Sequence, residues 1–414
     1  MELEKLFAAV SNATPRVTPM PSYDPTIEEW QHIRAITYEG VSIGEQKTKV
    51  FAYVGFPKEA SATHKVPAVV LVHGGGGHAF AEWIKLWNDR GYAAIAMDNT
   101  GHFPSEEGRG VAGREVEEKT FWHYGLYGPF AEEGYTNMPN NDGLSTVSRP
   151  IDTQWMYHAV ASTIAAHRIL ALDERVDADK IGIVGVSWGG VITSLAIGYD
   201  SYAFAVPIYG SGYLAEGYGW IAPAFAKEPA KALWAAEKRF GGIDFPVLWL
   251  CYASDTPFSI NANSDSYLAT RSADARLGIR VNWGHSHFSG WEIADGYLFA
   301  DAAIGRRGPL TKIGNLSVAR QADGTRCITA PIVRDTAAAA VKATAFYITE
   351  PMSYSPHPQW MTAMDQEWQS QPCEVDGDTL STVLPTEAIG YFLSVTTETE
   401  DGNYDVCSPY VQEG

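Results

Sequence analysis

The sequence predicts an α/β fold, a mostly parallel sheet with helices on both faces and lid insertions, followed by a C-terminal all-β sandwich. Three observations carry this. From about residue 32, strand-like and helical runs alternate, which is the pattern that builds a parallel sheet. Runs such as Ala68 to Val72 (AVVLV) and Ile181 to Val186 (IGIVGV) are apolar on both faces, as strands covered by helices on each side must be. Beyond Gly308 the texture changes to short runs rich in Val, Thr, Tyr and Phe, separated by turn signals at Asp323-Gly324, Asp376-Gly377 and Asp401-Gly402, which reads as an antiparallel sandwich.

Residues 1–31 form an N-terminal extension. Ile33 to Tyr38 and Lys49 to Phe56 are successive strands, an antiparallel start. Strand 68–73, helix 79–90, strand 93–98, helix 153–172 and strand 180–186 follow. Next come helix 191–199, strands 203–209 and 246–252, helix 262–270, strand 277–283 and helix 290–304, which ends the α/β domain near residue 308. In the sandwich, 309–414, runs 343–348, 379–384 and 391–396 read as strands. Two stretches interrupt the alternation. Segment 101–150 carries Phe121-Trp122-His123-Tyr124, and segment 211–242 carries Tyr213, Tyr218, Trp220, Trp234 and Phe240. Both leave the C-terminal ends of strands, where open α/β sheets bind ligands, and both read as lids or pocket walls.

Composition excludes several classes of function. The chain has 414 residues, 45% hydrophobic and 19% charged, the balance of a globular protein with a large core. Thirty basic against 49 acidic residues give a net charge of −19, which disfavours nucleic acid and anionic lipid. No apolar run approaches the ~20 residues of a membrane span. The opening ten residues begin with acids and hold too short an apolar segment for a secretory signal, so the expected compartment is the cytoplasm. Cysteines 251, 327, 373 and 407 show neither C-x-x-C nor zinc spacing and read as reduced thiols.

The strongest chemical signal is Gly185-Val186-Ser187-Trp188-Gly189, a G-x-S-x-G between a buried strand and a helix. That is the context of a nucleophile elbow, whose glycines let a strained turn lie close to its neighbours; the competing reading is a glycine-rich turn with a capping serine. A second signal is His73-Gly74-Gly75-Gly76-Gly77-His78 at the end of an earlier strand. Backbone N–H groups of Gly75, Gly76 and Gly77, with that of Trp188, would form an oxyanion hole. A phosphate loop would need a G-K-[ST], which does not follow.

A serine nucleophile requires a histidine base, and the base requires a carboxylate. Asp255 lies just past the strand 246–252 and is the expected acid; Asp265 and Asp244 sit less well, and a turn-capping role before Thr256-Pro257 competes. After the next strand comes Gly284-His285-Ser286-His287, completing the order Ser, Asp, His. His287, nearer the last helix, is favoured as base, and His285 is expected to line the pocket or brace the loop. An H-x-H can also be half a metal site, with His73 and His78 as further ligands; the serine elbow argues for a metal-free, cofactor-free mechanism. His73, His78, Trp122, Tyr124, Tyr209 and Trp283 are expected around the pocket.

With these motifs in place, the chain resembles the α/β-hydrolases, in the branch of acetyl xylan esterases, dienelactone hydrolases and prolyl-oligopeptidase-like enzymes. The resemblance covers about residues 30 to 305 and rests on HGGGGH (73–78), RGYAAIAMD (90–98), GVSWGG (185–190), FPVLWLCYASD (245–255) and GHSHFSGW (284–291). It implies ester hydrolysis through an acyl-serine, with an acylated carbohydrate or another small ester as substrate. The chain departs from it in the doubled histidine and in an acid turn that reads Ser-Asp-Thr-Pro. Other functions also remain in view. An exopeptidase would use Glu117-Glu118 or Glu132-Glu133 to hold an amine, a dienelactone hydrolase would carry cysteine at the elbow, and the sandwich could serve as a glycan- or partner-binding scaffold.

Overall fold

The computed structural model describes residues 2–105, 127–129, 132–335, 340–352 and 366–413. Trp122 and Tyr124 lie outside them. The chain divides into two compact units, residues 1–210 with 227–234, and residues 211–226 with 235–414.

The first unit contains α1 (Glu2–Ser11), β1 (Val17–Pro19), β2 (Ile33–Glu39), β3 (Lys47–Gly55), β4 (Val66–Val72), α2 (Ala81–Asn88), β5 (Ala93–Met97), α3 (Trp155–Leu172), β6 (Val176–Val186), α4 (Trp188–Ala196) and β7 (Ala205–Ile208). Its strands run in the order β1-β2-β3-β5-β4-β6-β7. β1, β2, β3 and β5 pair antiparallel in succession. The pairs β5 with β4, β4 with β6 and β6 with β7 are parallel, so the expected antiparallel start and parallel centre are both present. β4 and β5 are almost wholly buried, which is why they carry Val, Ile, Leu and Ala with no polar face. α3 is buried on most of its circumference because α1 lies over it. Phe7 of α1, fully buried, packs its ring 5.6 Å from Tyr157 and 4.5 Å from Tyr199. The N-terminal residues thus supply both a helix and an edge strand.

The second unit begins with the segment 211–226. It continues through β8 (Leu248–Tyr252), α5 (Ile260–Ala269), β9 (Arg276–Arg280), α6 (His287–Glu292) and α7 (Ala294–Ala303). β8 and β9 are parallel, Tyr252 opposite Arg280. Where the sequence predicts one helix over 290–304, the chain forms two, and the first begins at residue 287.

The described residues after 309 are all-β. They comprise β10 (Lys312–Ile313), β11 (Ser317–Arg320), β12 (Arg326–Val333), β13 (Ala340–Ile348), β14 (Gln369–Pro372), β15 (Glu374–Asp376), β16 (Thr379–Leu384), β17 (Gly390–Thr399), β18 (Gly402–Cys407) and β19 (Val411–Gln412). They form two five-stranded antiparallel sheets, one in the order β10-β12-β16-β15 with β11 also on β12, the other β14-β13-β17-β18 with β19 also on β17. Alternation of period two buries Ile328, Ala330 and Ile332 of β12 and Leu380 and Leu384 of β16. Among the described residues no helix is long and apolar enough to cross a membrane.

Candidate active site

In the first unit the chain turns sharply at Ser187, between β6 and α4. Ser187 has φ 61° and ψ −122°, a conformation that costs a side-chain-bearing residue energy and is held by its surroundings. Its N–H donates to Ile208 O at 2.8 Å, and its carbonyl accepts from Val191 N at 3.0 Å. The flanking glycines are required sterically. A Cβ on Gly185 would lie 2.1 Å from Gly189 O, and one on Gly189 would lie 2.0 Å from Val72 O, both contacts with backbone that cannot swing away. Gly190 and Gly210 are tight in the same way against Ile208 O and Ser187 O.

The glycine loop after β4 faces this turn. A Cβ on Gly75 would come within 2.9 Å of the Trp188 ring, and Gly76 has φ 71°, a backbone state that glycine adopts without cost. The N–H groups of the first turn of α4 precede its hydrogen-bond ladder and point past the helix end. Gly77, expected as an oxyanion donor, instead gives its N–H to Gly74 O at 3.1 Å, closing the turn.

His73 and His78, expected around the pocket, are buried, 1% and 5% exposed, and hydrogen-bonded to backbone. His73 Nδ1 lies 2.8 Å from Gly74 O, and its Nε2 accepts from Asn99 N at 3.0 Å. Nδ1 is therefore the protonated nitrogen of a neutral ring, and burial lowers the pKa of His73 below the usual imidazole value. Asn99 returns its Nδ2 to His73 O at 2.8 Å and accepts from Trp155 Nε1 at 2.6 Å. His73 is thus a brace between the ends of β4 and β5. His78 Nδ1 lies 3.1 Å from Ala79 O, and its ring is 4.1 Å from that of Phe80. Tyr209, also expected at the pocket, is fully buried with φ 41°.

In the second unit Asp255, expected as the acid, and a histidine meet directly. His285 Nδ1 is 2.6 Å from Asp255 Oδ2, with the carboxylate side chain wholly buried and the imidazole 16% exposed. The other oxygen, Oδ1, accepts from Phe258 N at 2.9 Å, and the Phe258 ring lies parallel to the imidazole at 6.0 Å. The turn-capping and histidine-binding readings of Asp255 are therefore both true, one for each oxygen. Phe258 is a residue the sequence reading missed; its signal is its place three residues past an aspartate, where an Asx-type turn puts the bonded N–H.

The pairing expected of His287 is made by His285. The reason is the helix boundary. Ser286 caps α6, its Oγ accepting from Ser289 N at 2.9 Å, so His287 is the first helical residue and is 3% exposed, its ring 6.0 Å from that of Trp291. His285 remains in the loop before the helix. Trp283 is half-buried and donates Nε1–H to Ser289 O at 3.2 Å, fastening the same loop.

The segment after residue 210 is stitched to the acid's turn. Trp220 N donates to Thr256 O at 3.0 Å, and Tyr218 N to Ser259 Oγ at 2.8 Å. Tyr213 and Tyr218 are half-buried there, whereas Trp234 and Phe240, expected in the same wall, belong to the core. Among the described residues, no three His, Cys, Asp or Glu side chains are arranged to hold a metal.

No family model and no curated protein matches the chain. Solved structures do. The acetyl xylan esterase from Paenibacillus sp. R4 superposes with a TM-score of 0.51 at 17% identity, covering 73% of this chain and 93% of that one. Acetyl xylan esterase 1 from Thermoanaerobacterium sp. JW/SL YS485 gives 0.50 at 13% identity, with the same two coverages. At these identities the likeness is one of fold, and the fold is that of the α/β-hydrolases.

Proposed function

We propose that the protein is a serine hydrolase of carboxylic esters that takes acylated carbohydrate, with Ser187 as nucleophile, His285 as general base and Asp255 as the acid that orients it. The observation that carries this reading is the strained Ser187 at the junction of β6 and α4, sealed by glycines whose Cβ positions are occupied by backbone. The Asp255–His285 hydrogen bond at 2.6 Å supports the other half of the mechanism.

Ser187 Oγ attacks the ester carbonyl while His285 Nε2 takes its proton. Asp255 holds Nδ1–H, fixes the tautomer and stabilises the imidazolium. Backbone N–H groups of Trp188, Gly75 and Gly76 stabilise the oxyanion, each donor contributing roughly 3 kcal/mol in measured systems. His285 then protonates the departing alcohol, and water hydrolyses the acyl-serine by the same route in reverse. Nucleophile, base and charge stabilisation come from the chain itself, so turnover is expected to survive EDTA; inhibition reversed by zinc would overturn the metal-free route. Carbohydrate as the alcohol part is favoured by the half-buried tyrosines beside the acid's turn, whose faces suit a sugar ring, and by the names of the two superposed esterases.

Rates on 4-nitrophenyl acetate, acetylated xylo-oligosaccharide and an aminoacyl anilide, measured side by side, test the assignment. The expected order in kcat/KM places the acetylated oligosaccharide above the anilide by at least ~100-fold. Faster cleavage of the anilide would make the protein a peptidase, and turnover of 4-nitrophenyl acetate alone would remove the carbohydrate.

A further inference from the structure

The loop that carries His285 is closed at its base by one ion cluster, and a strand of the C-terminal sandwich supplies part of it. Residues 281–294 leave β9 at Arg280 and run through α6 to the start of α7. The Arg280 guanidinium pairs with Asp295, in the first turn of α7, and the same Nη2 lies 3.1 Å from Asp405 Oδ2 in β18. Asp405 also donates its backbone N–H to Asp295 Oδ1 at 2.8 Å. Asp295 is fully buried, so its charge requires these partners. β18 is fastened to β9 a second time, Ile279 N donating to Cys407 Sγ at 3.2 Å. The main chain of Arg280 reaches the acid as well, its carbonyl accepting from Ala253 N at 2.9 Å, two residues before Asp255.

We infer that Asp405 and Arg280 are positioning residues for the Asp255–His285 pair, and that the C-terminal sandwich serves catalysis by holding the base-bearing loop. The physical case is geometric. Both ends of a fourteen-residue loop, 281–294, converge on a single guanidinium. One guanidinium nitrogen, Nη2, engages both carboxylates, so Asp295 and Asp405 are tied to a single point at the loop's base. Displacing an imidazole by about 1 Å costs a triad roughly 100-fold in rate, so a clamp at the loop's base acts on turnover without touching substrate. This inference rests on the base role proposed for His285.

The test uses the full chain and 4-nitrophenyl acetate, with Ser187→Ala alongside. Asp405→Ala removes the carboxylate but keeps the backbone bond to Asp295. It is expected to lower kcat roughly 10- to 100-fold with KM within about twofold. Asp405→Asn, which can still accept from Arg280, should recover most of the loss. Arg280→Lys retains the charge but its shorter side chain stops short of the Nη2 position that bridges Asp295 and Asp405, so it should reproduce the drop in kcat, which keeps the inference open to refutation if Asp405→Ala fails to fold. Wild-type kcat in either folded variant, or no recovery in Asp405→Asn, would overturn the clamp while leaving the hydrolase reading intact. Activity surviving in Ser187→Ala would instead overturn the hydrolase reading itself.

Discussion

At the serine turn the backbone is held by approaches so close that only glycine fits, 2.0 Å from a Gly189 Cβ to Val72 O; at the histidine loop the backbone is held by side chains, Ser286 on Ser289, Asp255 on Phe258 and Arg280 on Asp295. The first arrangement is local in sequence, five residues between one strand and one helix. The second is assembled from four separated stretches. A conformation fixed by the absence of side chains leaves its mark in the residues that adopt it. One fixed by distant partners leaves its mark elsewhere.

Ser187→Ala breaks the serine side of the comparison with the largest effect. Loss of turnover on the order of 10⁴-fold or more is expected in a variant that keeps its fold, because triad members act as a unit. Hydrolysis of 4-nitrophenyl acetate with parallel calorimetry measures both, and substantial residual activity in the folded variant would remove Ser187 from the mechanism.

The histidine side is sharpened by the pair His285→Ala and His287→Ala. The first should approach the Ser187→Ala loss, roughly 10³- to 10⁴-fold in kcat/KM, and cost about 1–3 kcal/mol of stability because it takes away the donor to the buried Asp255 Oδ2. The second removes a ring that is 3% exposed beside Trp291, so it should cost about 2 kcal/mol of stability and leave kcat within roughly tenfold. The opposite pattern would restore His287 as the base.

What the sequence made legible follows the same division. The strained turn at Ser187, the place of Asp255 beside a histidine and the parallel strands were readable because each depends on a short pattern: glycines at fixed offsets, a carboxylate just past a strand, apolar runs with no polar face. The choice between His285 and His287 was not, since it turns on where α6 begins, and Ser286 with Ser289 is a weaker start signal than a serine followed three residues later by glutamate. Strand β12 escaped because Pro331 interrupts its alternation, and Pro argues against a strand until its place on the outward face is known. The clamp of Arg280, Asp295 and Asp405 joins residues up to 125 positions apart, which no pattern within the sequence encodes.

Glycine substitution tests whether the serine turn is set by space alone. Gly189→Ala places a methyl 2.0 Å from Val72 O and 2.6 Å from His73 O. Expected losses are about 3 kcal/mol or more in stability, because Val72 O cannot move without disturbing the end of β4, nor His73 O without breaking its bond from Asn99 Nδ2. Gly308→Ala, with nothing within 4 Å of its Cβ, is the control and should be within ~0.5 kcal/mol of wild type. A tolerated Gly189→Ala would mean that Ser187 is held by its hydrogen bonds to Ile208 and Val191 instead.

The smallest effect concerns His73, where the glycine loop is braced by a side chain and the two modes of support meet. His73 is neutral in the fold, donating from Nδ1 and accepting at Nε2, and burial lowers its pKa below the unfolded value of 6.5. The sign follows from proton counting. Above pH 6.5 both states are neutral and the brace contributes fully; as pH falls below 6.5 the unfolded chain takes up a proton that the folded ring refuses, so stability declines toward the folded pKa. The slope from one such site reaches at most ~1.4 kcal/mol per pH unit. His73→Gln keeps one donor and one acceptor without titrating. It should lose about 1–2 kcal/mol at pH 7 from imperfect hydrogen bonds, yet show a shallower fall between pH 6.5 and pH 5 than wild type. Urea unfolding at pH 7, 6 and 5 on both proteins gives the difference. Equal slopes would mean that His73 takes up a proton in the folded state near its unfolded pKa, with Asp98, 3.8 Å from Nε2, as the partner that accommodates the charge.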